Sequence, residues 1–124
     1  MSGKILLFGF DSLLNVLALE KAMEPFDVEL IPVARTDYNK TLAALAGLDT
    51  VPRAVMPYAG SSLGGRMLVL CQLEKQLDEL LPVLHQAGAG PECLKAILTP
   101  HNCSWNAVML YSELLREQQA MKGK

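Results

Sequence analysis

Cysteine, cationic charge and long apolar runs are all scarce in this chain, and each shortage closes off a class of protein. The three cysteines stand at positions 71, 93 and 103. Their number is odd and no two form a C-x-x-C pair, so no disulfide framework is expected. His85 and His101 do not sit at ligand spacing from paired cysteines, which argues against a zinc site. Lys and Arg total 11 against 13 Asp and Glu, and they are scattered. A nucleic-acid binder would show a basic stripe, and none is present. No apolar run approaches the ~20 residues that cross a bilayer. The run ILLFGF near the N-terminus is too short for a signal peptide, and Asp11 follows it directly. The expectation is a cytosolic protein with no nucleic acid, no membrane, no metal and no cofactor.

What is present is apolar surface. The chain has 124 residues, 51% of them apolar, which is enough for the core of a single domain spanning residues 1–124. The sequence also matches itself. Shifted by 63 residues without a gap, ILLFGF (5–10) falls on LVLCQL (68–73) and TDYNKTLAA (36–44) falls on TPHNCSWNA (99–107). Leu7, Leu14 and Leu17 meet Leu70, Leu77 and Leu80; Thr36 and Asn39 meet Thr99 and Asn102. An internal duplication is expected, with halves at about 4–47 and 67–110 and a linker at 48–66.

Each half reads as strand, helix, strand, helix. The strands are 4–8, 28–33, 67–71 and 93–98. A first helix follows Asp11 or Ser12, either of which can cap it, and Pro25 ends it. A short second helix over 39–47 stops at Gly47. Leu77, Leu80, Leu81 and Leu84 lie on one face of a third helix, in which Pro82 removes a backbone donor and predicts a kink or a late start. Ser104 to about Met121 forms the last helix, with Val108, Tyr111 and Leu115 inward. Strands alternating with helices predict an α/β fold: a small, mostly parallel four-stranded sheet of duplicated βαβα units, with helices packed on it. A mixed sheet with one antiparallel strand is the alternative. Pro32 and Lys95 suit edges, while strands one and three are apolar throughout, so the order should be 2-1-3-4. Residues 49–66 read as a connection, with a short edge strand possible at Ala54–Met56.

Three stretches could carry chemistry. GSSLGGRM (60–67) has two glycines at P-loop spacing, but Arg66 and Met67 replace the lysine and hydroxyl that a phosphate site needs. GFDS (9–12) has a lone glycine where a dinucleotide site needs three. TPHNCSW (99–105) and its counterpart TDYN (36–39) are stronger, since both follow strands, where α/β sheets bind ligands. The candidate ligand-binding residues are Thr36, Asp37, Asn39, Thr99, His101 and Asn102. His101 could activate Cys103, but the two are two residues apart on a turn and no third group orients the imidazole. A structural role explains more: Thr99 and Pro100 end the strand, Asn102 or Ser104 caps the last helix, and Trp105 anchors its first turn in the core.

MLVLCQLEKQLDELLPVLHQAG (67–88) followed by LKAILTPHNCSWNAVMLYSELLREQ (94–118) resembles a bacterial domain-of-unknown-function family catalogued as 3783, most tellingly over Leu94 to Trp105. The resemblance covers the second half directly and the first half through the repeat. It implies a small bacterial protein and brings no catalytic residues. The function expected is a non-enzymatic interaction or regulatory domain, with a homodimer through the C-terminal helix as one partner arrangement. A small-molecule binder using the loops after strands two and four is the alternative, and a Cys/His enzyme comes last.

Overall fold

The computed structural model describes residues 3–10, 12–48, 58–60, 63–90 and 93–122. Four strands, β1 (Gly3–Phe8), β2 (Val28–Val33), β3 (Met67–Cys71) and β4 (Leu94–Ile97), form one sheet in the order β2-β1-β3-β4. The helices are α1 (Leu13–Met23), α2 (Leu42–Leu45), α3 (Leu77–Gln86) and α4 (Ala107–Lys122). Strand order follows the expectation, with Pro32 and Lys95 on the two edges. Strand direction does not. β1 pairs parallel with β2 and β3 parallel with β4, but β1 and β3 are antiparallel. The sheet is therefore mixed, two strands in each direction, rather than mostly parallel. Each helical crossover fixes a parallel pair, and nothing in the 33-residue link between β2 and β3 forces the second pair to share the direction of the first.

Alternating side chains of the central strands build two cores, one on each face of the sheet. Ile5, Leu7, Leu68 and Leu70 point to the face covered by α1 and α3, where they meet Leu19, Met23, Leu80 and Leu84. Leu6, Phe8, Met67, Val69 and Cys71 point to the other face, covered by Leu42 and Ala46 near α2 and by Ala107, Leu110 and Tyr111 of α4. Burial on both faces is why β1 and β3 are apolar almost throughout.

Local signals explain most boundaries. Met23 ends α1, and Pro25 sits in the 3-10 turn that follows. Gly47 has φ +75, the left-handed conformation that closes a helix, and Lys4 Nζ donates to the Ala46 carbonyl at 2.9 Å beside it. Pro82 lies inside α3, which begins only at Leu77 after a 3-10 turn; Leu80 and Leu84 are buried while Leu81 is exposed. Ser12 occupies the N-cap position of α1 but its side chain makes no cap hydrogen bond, and Asp11 lies outside the described residues. So does the edge strand expected at Ala54–Met56.

The caps correct the sequence reading. α2 begins at Leu42, with the Thr41 hydroxyl accepting from Ala44 N, so Asn39 precedes the helix rather than starting it. α4 begins at Ala107, and the cap is Asn106, whose Oδ1 accepts from Met109 N at 2.9 Å. Neither Asn102 nor Ser104 caps it. Thr41 and Asn106 also form an antiparallel bridge with each other. They are 65 residues apart, whereas the gapless 63-residue match would set Thr41 opposite Ser104. The pairing does not follow the gapless register in this region, and Asn39 and Asn102 are not equivalent in it. Replacing Asn106 by Ala should lower the unfolding free energy by about 0.5–2 kcal/mol. Ser104→Ala should stay within about 0.5 kcal/mol, both read from urea unfolding.

Candidate functional site

The loops after β2 and β4 leave the sheet at opposite edges, because β1 and β3 are antiparallel. They do not share one carboxyl edge as a parallel sheet would require. Both fold back over the face covered by α2 and α4, where they meet: Leu42 N donates to the Trp105 carbonyl at 2.8 Å and Ala43 N to the Cys103 carbonyl at 3.0 Å. With Ala44 N on Thr41, the first-turn amides of α2 are satisfied by the protein itself.

The six candidate residues fall into two groups. Thr36 is exposed, and its carbonyl accepts from Tyr58 N. Asp37 is half-buried and pairs with Lys40 at 3.0 Å. Asn39 is half-buried next to Tyr38, which is buried against Phe8. In the other loop, Thr99 and Asn102 close a reciprocal pair. Asn102 Oδ1 accepts from Thr99 N at 2.9 Å, Thr99 Oγ1 accepts from Asn102 N at 3.2 Å, and Asn102 Nδ2 donates to the Ile97 carbonyl at 3.0 Å. Asn102 thus ties the loop to the end of β4, a structural role different from the helix cap expected. No hydrogen bond, ion pair or ring contact among the described residues joins Thr36 or Asp37 to Thr99, His101 or Asn102. The structure brings the two loops together through their backbones, at Leu42, Ala43, Cys103 and Trp105.

His101 is exposed and sets its ring at 5.3 Å from that of Trp105, edge to face. The Cys103 thiol donates to the Pro100 carbonyl. Trp105 lies before α4, not in its first turn, and is half-buried against the α2–α4 core rather than wholly inside it. Cys71, in contrast, is fully buried in β3, and burial pushes its thiol up to about 11 from 9.0, with Lys4 partly opposing. All three cysteines are free. Among the described residues no group of three His, Cys, Asp or Glu side chains could hold a metal ion, and no helix is long and apolar enough to cross a membrane.

Two open crevices flank the sheet. One, of about 500 Å³, lies beyond the carboxyl ends of the parallel pair β1 and β2 and is lined by Leu7, Gly9, Phe10, Tyr38 and residues 32–35, Arg35 included. Gly9 has φ +80, and a Cβ there would stand 2.7 Å from the Gly65 carbonyl, so only glycine fits this turn. The Arg66 guanidinium stacks on the Phe10 ring at 5.2 Å. The second, of about 450 Å³, lies between the end of β3 and the start of β1; Asp27 (φ 54) and Gln72 (φ 60), both left-handed, line it. Sequence reasoning passed over the first crevice, although a strand–Gly–helix turn beside a second parallel strand marks it.

The exposed apolar residues were also missed. Leu13, Leu14 and Leu17 on α1 are 70%, 78% and 48% exposed. The signal was legible: LLNVLALEKAM carries leucines on more than one side of the helix, while only one side can face the sheet.

With fold and site described, the chain is a mixed α/β sandwich of two βαβ halves. Its second half, residues 66–121, matches the family described as Domain of unknown function (DUF3783). No curated protein and no solved structure matches the chain.

Asn102→Ala should destabilise the protein by about 1–3 kcal/mol, since it removes an acceptor and a donor from part-buried backbone partners. His101→Ala should change it by less than about 0.5 kcal/mol. A larger loss at His101 than at Asn102 in thermal unfolding would reverse this assignment. Cys71 sets a pH dependence. Its folded pKa is raised, so its protonated thiol favours the folded state fully below pH 9.0, and this contribution is lost as pH rises towards about 11. The unfolding free energy should therefore fall more steeply over that window in the native protein than in Cys71→Val.

Proposed function

We propose that this chain is a fused pair of βαβα units acting as a non-enzymatic interaction domain, with the outer side of α1 as its contact surface. The observation that carries the reading is the set of exposed leucines at 13, 14 and 17. A large apolar patch on a folded surface marks a place where something else binds.

The duplication supports this reading by supplying an internal control. Leu6 and Val69, 63 residues apart, pair with each other across β1 and β3, while the pairs Ile5–Leu70 and Leu7–Leu68 exchange under the same shift. That is the register a two-fold relation between halves requires. Gly9 and Gln72, also 63 apart, both take the left-handed conformation after their strands. Thr41 and Asn106 both cap helices and bridge each other. The shift changes along the chain because the second half has two fewer residues before its helix and four more after it. The helices therefore align at 61: Leu19 on Leu80 and Met23 on Leu84, buried in the same core, with Val16 on Leu77.

In that alignment the exposed Leu13, Leu14, Leu17 and Ala18 fall on Glu74, Lys75, Asp78 and Glu79, all exposed as well. One helix of this shape covers the sheet with a charged outer side, so the fold does not need leucines there. A cytosolic location belongs to the same reading, and the free cysteines are compatible with it.

A second reading, binding of a small anionic molecule, rests on the crevice beyond β1 and β2 with Arg35 at its rim. It uses the loop after β2, but not the loop after β4.

The interaction reading is tested by installing the second half's residues in the first: Leu13→Glu, Leu14→Lys and Leu17→Asp together. In dilute solution the triple variant should melt as the native chain does, within about 0.5 kcal/mol. A loss of about 2–5 kcal/mol, the cost of disrupting a core leucine, would make these leucines structural and overturn the proposal.

A further inference from the structure

The crevice beyond β1 and β2 supports a narrower statement about its occupant, which rests on the second reading given above. Its volume of about 500 Å³ lies within the roughly 300–1,000 Å³ of small-molecule sites. Open α/β sheets hold ligands beyond the carboxyl ends of their strands. β1 and β2 are a parallel pair that ends there together, Phe8 beside Val33. The turn after β1 is held in place by its neighbours. Gly9 packs so closely on the Gly65 carbonyl that no larger residue fits. Phe10, half-buried, carries the Arg66 guanidinium over its ring. Tyr38, also in the lining, is buried with its ring 5.8 Å from that of Phe8.

The chemistry of the lining decides the class of ligand. Leu7, Phe10, Pro32 and Val33 offer carbon surface, and Arg35 is the one charged side chain in the lining among the described residues. Arg35 is exposed and makes no side-chain hydrogen bond or ion pair among the described residues. The acid nearest to it in sequence, Asp37, is taken up by Lys40 at 3.0 Å. A guanidinium pairs with a carboxylate through two parallel N–H donors, which gives both charge and shape a match that a neutral group lacks. One uncompensated positive charge beside apolar surface therefore fits one negative charge at the end of an apolar body. It does not fit a dinucleotide, whose phosphates need a glycine-rich cradle; GFDS (9–12) has a single glycine. Phe10 and Tyr38 bring two rings to the lining, and aromatic groups pack on rings edge to face or offset.

We infer that the crevice binds a small aromatic carboxylate, with the carboxylate on Arg35 and the ring packed among Phe10, Pro32 and Tyr38. Phenylacetate is the probe, titrated into the full chain at constant ionic strength to about 50 mM, a range suited to a ligand of so few atoms. The amide resonances of Gly9 and Ala34 should shift with it. Phenylacetamide, its neutral counterpart, should bind at least about tenfold more weakly, as loss of a charge-assisted pair requires. Arg35→Gln should abolish that preference and leave the melting temperature unchanged, because the side chain is exposed and unpaired. Asp11 follows Phe10 and lies outside the described residues, so its charge enters the test. Asp11→Asn should raise the phenylacetate affinity by less than about tenfold; a larger gain means that the guanidinium is already taken, and it overturns the inference. Equal binding of phenylacetamide, or a preference that survives Arg35→Gln, overturns it as well. Phenyl phosphate bound more than about tenfold tighter than phenylacetate removes the carboxylate and leaves the anionic reading. No shift at Gly9 and Ala34 with either anion removes both.

Discussion

The pairing of β1 with β3 is the constraint on which the rest of the structure depends. Among the described residues these are the two strands of the sheet with neighbours on both sides, and their residues are buried on both faces from Ile5 to Phe8 and from Met67 to Cys71. Each parallel pair is closed within its own half, β1 with β2 through α1 and β3 with β4 through α3. The antiparallel ladder from Lys4–Cys71 to Phe8–Met67 is what makes one sheet of two hairpin-free halves. It also sets which side chains share a core. A slip of one residue would set Leu6 opposite Leu68 or Leu70 instead of Val69, so that one strand's side chains change faces relative to the other's and the two cores no longer match.

A second contact on the opposite side of that ladder follows from it. With β1 and β3 antiparallel, β2 and β4 end at opposite edges, and each chain must cross the same face to start its next helix. The two crossings meet, and their meeting is a backbone structure: Thr41 bridged to Asn106, and the Leu42 and Ala43 amides on the Trp105 and Cys103 carbonyls. Loops that satisfy each other's donors in this way leave few for a ligand. That is a physical reason why the polar residues of TDYN and TPHN, attractive as a site in the sequence, divide into an exposed Thr36, a half-buried Asp37 paired with Lys40 and a half-buried Asn39 on one hand, and a self-satisfied Thr99–Asn102 pair on the other.

Much of the fold was legible and the limits have physical causes. β2 at 28–33 and β3 at 67–71 were readable to the residue, since Asp27 precedes the first and the second is an unbroken apolar run between Arg66 and Gln72. Strand order was readable because Pro32 and Lys95 are poor central residues. Direction was not: a strand buried on both faces shows the same apolar run whichever way its neighbour points. The caps were misassigned because Asn102, Ser104 and Asn106 are all short polar residues within one turn. Only the hydrogen bonds show that Asn102 is engaged with Thr99 and Ile97, leaving Asn106 to the helix. Trp105 was read as a core anchor from its size, but its place before α4 leaves part of it in solvent. The gapless 63-residue match set Thr41 opposite Ser104, whereas the structure pairs Thr41 with Asn106.

The two βαβ arrangements matter most for what they hold constant. Two helices on one face of one sheet solve the same packing problem, with Val16, Leu19 and Met23 in one and Leu77, Leu80 and Leu84 in the other. Any difference between their outer sides is then not a requirement of the shared architecture. A single exposed leucine on a surface carries little meaning, because most of any protein's surface is apolar. Three leucines at positions where the turn before α3 carries Glu74 and Lys75, and α3 itself carries Asp78, are different. Exposed leucine gains nothing from the fold and adds a tendency to aggregate. A chain that solvates this side in one half and not in the other has the means to remove that liability. The proposed contact surface would cover this side of α1 and remove that liability. On the proposed interaction reading, the asymmetry between the two halves lies in the helix layer, away from the polar loops.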